Sequence, residues 1–213
     1  MDTPEYIYSD GIELRQSDPG DDSPGTATGY AVQWGLKSPP IYIGPNKRIT
    51  ETVNRGAFDK GEPGHHVLMV GGHDEHKVTG ASDVGTLKLT DDGIGLRYEN
   101  KLPNTTLGRD MAVDIARGNI RGTSIAYIPR DKGVEWNFNE EPPHRSINAA
   151  TLYHISYSSR PAHSGTSTTL RSLDLALAAR DATPPPADPS PPANDNAVSE
   201  HLLARLRLAE LGL

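Results

Sequence analysis

Short apolar or alternating runs, each closed by Gly, Pro or Asp, set the first limit on this chain. An ordinary helix needs an apolar stripe sustained over about 10–12 residues, and one segment stands out as supplying it. GYAVQWGL (29–36) and IYIG (41–44) read as short strands split by Ser38-Pro39-Pro40, and HVLMV (66–70) as a short buried strand. VGTLKLT (84–90) alternates, with Leu87 and Leu89 on one face and Thr86, Lys88 and Thr90 on the other. Asp91-Asp92-Gly93 signals a turn. Ile94, Leu96 and Tyr98 then alternate against Gly95, Arg97 and Glu99, which predicts a β-hairpin. Longer strands are expected at 120–128 and from about Ser146 to Ser158.

The helical segment follows the hairpin. Thr105 or Thr106 can cap its start by accepting from an unpaired N–H. Leu107, Met111 and Ile115 form one apolar stripe, and Gly118 suits a left-handed stop. Gly (21) and Pro (18) together make about 18% of 213 residues, and hydrophobic residues are 35%, below the usual ~45–50%. The core is therefore modest. The expected fold is a β-rich α+β domain, a barrel or sandwich with helical decoration.

Residues 1–25 read as a flexible arm or one edge strand, and 26–173 as the globular domain. LDLALAARD (173–181) is a short helical piece. Residues 181–197 hold six Pro and no aliphatic larger than Ala, so 174–198 is expected to be largely a solvated linker. SEHLLARLRLAELGL (199–213) then reads as a small amphipathic helix with Ser199 as cap.

Several classes are excluded. No run approaches the ~18 apolar residues of a membrane span, and the acidic start lacks the basic and apolar regions of a signal peptide. The absence of Cys removes a disulfide scaffold, a thiolate zinc site and a Cys nucleophile, and fits a reducing cytoplasm. A net charge of −7 provides no general field for nucleic acid.

Ser124 enters a strand just after a Gly-containing turn in GNIRGTSIAYI, where an accessible hydroxyl and exposed backbone N–H groups suit a nucleophile with an oxyanion site. A plain turn serine fits the same residues. His73, in MVGGHDEH, follows an apolar strand, a common place for a catalytic base, though a solvated loop histidine would look the same. His154 lies in mid-strand between Leu152 and Ser156, on the face opposite Tyr153, Ile155 and Tyr157. There it needs a hydrogen-bond partner, and another imidazole would serve. His65, His66, His73 and His76 invite a metal reading, but neither Cys nor an H-E-x-x-H helix supports it. No metal or other cofactor is expected.

Taken in order, RITETVNRGAFDK (48–60), HVLMVGGHDE (66–75), VGTLKLTDDGIGLRYENKLPNTTLGRDMAVDIARGNIRGTSIAYI (84–128) and TLYHISYSSRPAHSGTSTTLRS (151–172) resemble the prohead proteases of tailed phages. That family's pattern runs G-A-F, a strand ending N-H-D, G-T-L-x-L, G-L-x-F, R-x-G-x-x-x-G-x-S-x-x-F and L-x-E-V-S-x-x-x-x-P-A-Y. With GYAVQWG ahead of them, the similar stretch spans about 29–172. The resemblance implies Ser124 as nucleophile, His73 as general base and His154, where many members place Glu, as the residue orienting the base. Ser-His-His in the chain order His, Ser, His is the pattern of the related herpesvirus assemblins. This implies an assemblin-like closed or partly open barrel. Gly72, Tyr127, Arg160 and His163 depart from the family's Asn, Phe, Phe and Tyr. Arg121 and Thr123 are candidate oxyanion donors. The implied activity is a slow serine endopeptidase acting on scaffold or major capsid protein, and on its own tail within 173–200. It would work as a homodimer inside a portal-containing procapsid in the host cytoplasm, or as a prophage-encoded cytoplasmic protein, without nucleic-acid or membrane partners. The competing readings are an inactive capsid-assembly protein on the same fold and a His-ligated metal-dependent hydrolase.

Overall fold

A computed structural model describes residues 4–43, 46–58, 66–130, 132–159 and 167–182. In chain order these form β1 (Glu5–Asp10), β2 (Ile12–Arg15), β3 (Thr26–Gln33), β4 (Ile41–Tyr42), β5 (Arg48–Val53), β6 (Leu68–Gly71), β7 (Asp74–Ala81), β8 (Leu87–Asp91) and β9 (Gly95–Lys101). There follow α1 (Thr106–Ala116), β10 (Gly122–Pro129), β11 (Val134–Asn137), β12 (His144–Ile147), β13 (Ala150–Ser158) and α2 (Ser167–Ala182). The strands make a five-stranded sheet, β1-β10-β13-β6-β7, and two four-stranded sheets, β2-β3-β9-β8 and β11-β12-β5-β4. The fold is thus β-rich α+β. None of the three sheets closes into a barrel among the described residues, so the closed form expected from the resemblance is not what these strands make.

The predicted hairpin is β8–β9, with Leu89 opposite Tyr98. The helix begins where expected: Thr105 Oγ1 accepts from Gly108 N at 3.1 Å, and Gly118 takes a positive φ of 73° beyond the last turn. Ile115 is buried, while Leu107 and Met111 are half-buried. Met111 reaches across to β6, where its Cε would stand 2.9 Å from a Cβ on Gly71. The missing side chain at Gly71 therefore lets α1 pack against the end of the strand that carries the turn to His73.

Of the two readings of residues 1–25, a flexible arm or one edge strand, the strand is what β1 forms at the edge of the five-stranded sheet. β1 pairs antiparallel along β10, from Glu5↔Tyr127 to Asp10↔Gly122, and β2 pairs with β3. Glu5, 2% exposed, shares Arg145 with Glu51; both ion pairs are direct and buried, and the Tyr127 hydroxyl completes the cluster. Arg145 stands on β12, Glu51 beside it on β5 and Tyr127 on β10, so one guanidinium joins two sheets and fixes β1.

The expected 146–158 strand is two strands, β12 and β13, on different sheets. Within β13 the register against β10 shifts between Ala126↔His154 and Tyr127↔Leu152, leaving Tyr153 as an extra residue, 41% exposed. A bulge of this kind reverses the in–out alternation. Leu152 therefore joins Ile125, Tyr127, Ile155, Tyr157 and Met69 in the core, and does not share the His154 face as simple alternation predicts. Each such side chain contributes about 1.5–3 kcal/mol of burial. The opposite face of the five-stranded sheet carries Ser124, Ala126, His154 and Ser156.

Contacts divide the chain into Met1–Ala176 and Leu177–Leu213. In the first unit Leu173 is buried and Asp174 pairs with Lys47 at 2.6 Å. α2 takes in the helical piece read at 173–181, so the solvated linker expected from 174 begins later than composition suggests; the rest of the linker, the terminal segment and Ser199 lie outside the described residues. No described helix is long and apolar enough to cross a membrane.

Candidate active site

The site begins with a tight turn. Gly71 pairs with Asp74, so Gly72 and His73 are the two central residues of the β6–β7 hairpin, with φ of 63° and 59°. Positive φ at both positions is the type I′ pattern that fits the twist of paired strands. Gly72 adopts it freely, whereas for a side-chain-bearing residue it costs roughly 1–2 kcal/mol. His73 is held there by three contacts. Its N–H donates to Ser156 Oγ at 2.7 Å, Gly72 N donates to Tyr157 O at 3.2 Å, and the imidazole meets the Tyr6 ring edge-on at 4.5 Å.

Strand register places the other residues. Ser124 lies opposite Ser156, and Ala126 opposite His154. On the other flank of β10, Tyr8 lies opposite Ser124 and Tyr6 opposite Ala126. Directly opposed side chains share a face with Cβ atoms about 4.5–5.5 Å apart. Ser124 is therefore one strand away from Ser156, which itself holds the His73 backbone. The two imidazoles meet directly, with His73 Nδ1 2.9 Å from His154 Nε2. His154 Nδ1 in turn lies 3.2 Å from Glu75 Oε1. Two polar atoms here are buried without a hydrogen-bond partner among the described residues: Ser124 Oγ and His73 Nε2. Buried polar atoms are rarely left unsatisfied, and these two are a hydroxyl and a ring nitrogen.

Burial favours the neutral form of both rings. Burial, with the His154 charge adding to it, lowers His73 to about 4. Burial also lowers His154, against the opposing pull of the Glu75 carboxylate. Tyr8 is raised to about 12 by burial and by its hydrogen bond to Asp10, with Arg121 pulling the other way. Arg121 thus lies within electrostatic reach of the tyrosine that flanks Ser124.

The structure brings His73 and His154 into contact and sets Ser124 on the same face. It overturns the expected accessibility of Ser124, which is 0% exposed. The reason is β1: a central strand paired on both sides commits its backbone N–H groups to the ladder, and the tyrosines of β1 lie along the same face. Tyr8 covers Gly122, where a Cβ would fall 2.4 Å from the phenolic oxygen. Thr123 projects to the other face and donates its hydroxyl to Tyr30 O at 3.2 Å, and Arg121 Nε donates to Gly118 O at 2.9 Å. His66 pairs with Asp83, and among the described residues no cluster of His, Asp or Glu is placed to hold a metal ion. His65 and His163 lie outside the described residues. Sequence reasoning missed Glu75, Tyr6 and Ser156. Ser156, two residues beyond His154, was within reach of an alternation argument; Glu75 and Tyr6 meet the site through the turn and through β1.

A family model for the caudovirus prohead serine protease matches residues 10–179 of the chain. No curated protein and no solved structure matches it.

Proposed function

Given that the chain belongs to the caudovirus prohead serine protease family, we propose that Ser124, His73 and His154 are its catalytic residues and that it cleaves peptide bonds in scaffold or major capsid protein during procapsid maturation. The observation that carries this reading is the His73–His154 contact, with Ser124 Oγ and His73 Nε2 both left unpaired on one sheet face. In the reaction Ser124 Oγ attacks the scissile carbonyl carbon while His73 Nε2 takes the hydroxyl proton. As the tetrahedral intermediate collapses, that proton passes to the leaving amine. Water then hydrolyses the acyl-enzyme through the same base. His154 holds the His73 ring and shares the charge that develops on it.

A general base works best with a pKa near the operating pH. The lowered His73 is a weak base, so turnover is slow, which suits an enzyme enclosed with concentrated substrate. The buried Ser124 hydroxyl means that a peptide reaches it only after the covering groups yield. Of the two candidate oxyanion donors Arg121 is favoured by its proximity to Tyr8, since the Thr123 backbone lies in the β10 ladder and its hydroxyl donates to Tyr30 O. The relation to the assemblins leads us to read the three sheets as a partly open form of the assemblin barrel, working as a homodimer in the portal-containing procapsid. The protease domain on this reading extends from β1 to about Leu173, and self-cleavage within 173–200 releases the terminal segment. An inactive assembly protein would have no need to hold His73 at positive φ against a second imidazole.

The test is coexpression with scaffold-bearing capsid protein, followed by intact mass of every component. Wild type should yield truncated scaffold or capsid chains and Ser124→Ala should yield none. Intact substrates with both proteins would favour the inactive assembly reading.

A further inference from the structure

Glu75 lies outside the three residues assigned above, yet it is the group that ends their hydrogen-bond chain. We propose that Glu75 is a positioning residue that sets the proton order across both imidazoles and so leaves His73 Nε2 unprotonated as the base. The inference rests on reading Ser124 and His73 as nucleophile and base.

The argument is one of donors and acceptors. A carboxylate only accepts, and a neutral imidazole carries one N–H and one bare nitrogen. Because Glu75 Oε1 lies 3.2 Å from His154 Nδ1, the proton of neutral His154 belongs on Nδ1. His154 Nε2 is then bare and accepts across the 2.9 Å contact, which puts the proton of His73 on Nδ1. His73 Nε2 is left as an acceptor, and it is the atom found buried and unpartnered beside the Ser124 face. Reverse the order and every step inverts: His154 donates from Nε2, His73 carries its proton on Nε2, and the base is lost. The His–His contact alone is satisfied by either order, so something outside it must choose.

Local structure frees Glu75 for that task. Asp74 is occupied, accepting from His76 N at 3.0 Å and pairing with Lys77 at 3.3 Å. The Glu75 side chain is 62% exposed and His154's is 6% exposed, so the contact links solvent to the buried pair. Where the family's usual pattern has Glu at the position of His154, this chain has a second imidazole with a carboxylate one step further out.

The experiment compares full-length wild type and Glu75→Ala, each also carrying Ser124→Ala for spectroscopy. Imidazole 15N shifts separate protonated from bare ring nitrogens. The expected result is Nδ1–H on both His73 and His154 with Glu75, and Nε2–H appearing on His73 without it. In the active background kcat should fall about 10–100-fold, the loss typical of outer-shell hydrogen-bond partners, with KM little changed and the urea midpoint unmoved. Unchanged tautomers in Glu75→Ala, or Nε2–H on His73 in the native chain, would overturn the proposal. Failure of the peptidase reading shows differently: wild type would then leave substrate uncut whatever the tautomers report.

Discussion

Replacing Arg145 with Met removes the guanidinium that Glu5 and Glu51 share and keeps much of the buried stem. All three residues are at most 3% exposed, and the Tyr127 hydroxyl is the other polar neighbour of the carboxylates in this cluster. Removing one partner of a buried ion pair costs roughly 3–5 kcal/mol, because charge is left without compensation. With a urea slope of about 2 kcal/mol/M for a domain of this size, the midpoint at pH 7 should fall by about 1.5–2.5 M. The sign of the pH dependence follows from Glu51. Burial already raises it, with Arg145 the main opposing influence, so loss of Arg145 raises it further. A carboxyl raised in the folded state binds more protons there than when unfolded, so stability declines as pH rises from about 4.5 through the raised value. The deficit of Arg145→Met should therefore be smallest near pH 4.5 and grow toward pH 7. Urea titrations followed by tyrosine and tryptophan fluorescence at several pH values read this directly. A midpoint within about 0.5 M of wild type at pH 7, or a deficit independent of pH, would refute the reasoning.

Four further outcomes are expected. The acid limb of kcat/KM should lie near the lowered His73 value of about 4, well under the ordinary 6.5, as a property of the coupled histidine pair; a limb near 6.5 would contradict the burial argument. For the same reason the unfolded chain binds more protons than the folded one between about 4 and 6.5, so stability should fall as pH drops through that window, and His73→Asn should flatten the fall in urea titrations. Gly122→Ala sets a Cβ 2.3 Å from Ser9 O and 2.4 Å from the Tyr8 hydroxyl, so β1 must shift; calorimetry should show a loss of about 1–3 kcal/mol, and no loss would mean β1 is not seated on β10. Thr105→Ala removes the α1 cap and should cost about 1 kcal/mol in urea titrations while leaving kcat unchanged.

Local features of this fold were the legible ones. The β8–β9 hairpin follows from alternation about a turn, and α1 from Thr105, a four-residue apolar repeat and Gly118, all within a few residues of one another. The residues proposed for catalysis, His73, Ser124 and His154, were singled out by motif order. What sequence reasoning could not supply depends on distant partners. EYIYSD has the alternation of a strand, but its seat is β10, more than a hundred residues away, and without that pairing Ser124 reads as exposed. Arg145, Glu5 and Glu51 are ordinary surface types until three strands bring them together. The Tyr153 bulge adds one residue and inverts the alternation, so Leu152 was assigned to the wrong face. Glu75 reaches His154 because the two-residue turn at Gly72-His73 folds β7 back beside β6, a geometry that the Gly-Gly-His run does not specify by itself.

The central claim is that Ser124 is a hydroxyl activated by His73. A small fluorophosphonate that modifies activated serines tests it most directly, with intact mass and peptide mapping as the readout. The account predicts one adduct per chain, on Ser124, formed slowly because the hydroxyl is buried, absent in His73→Ala and slower still in His154→Ala. An adduct on another serine, or labelling of Ser124 at the wild-type rate in His73→Ala, would contradict it.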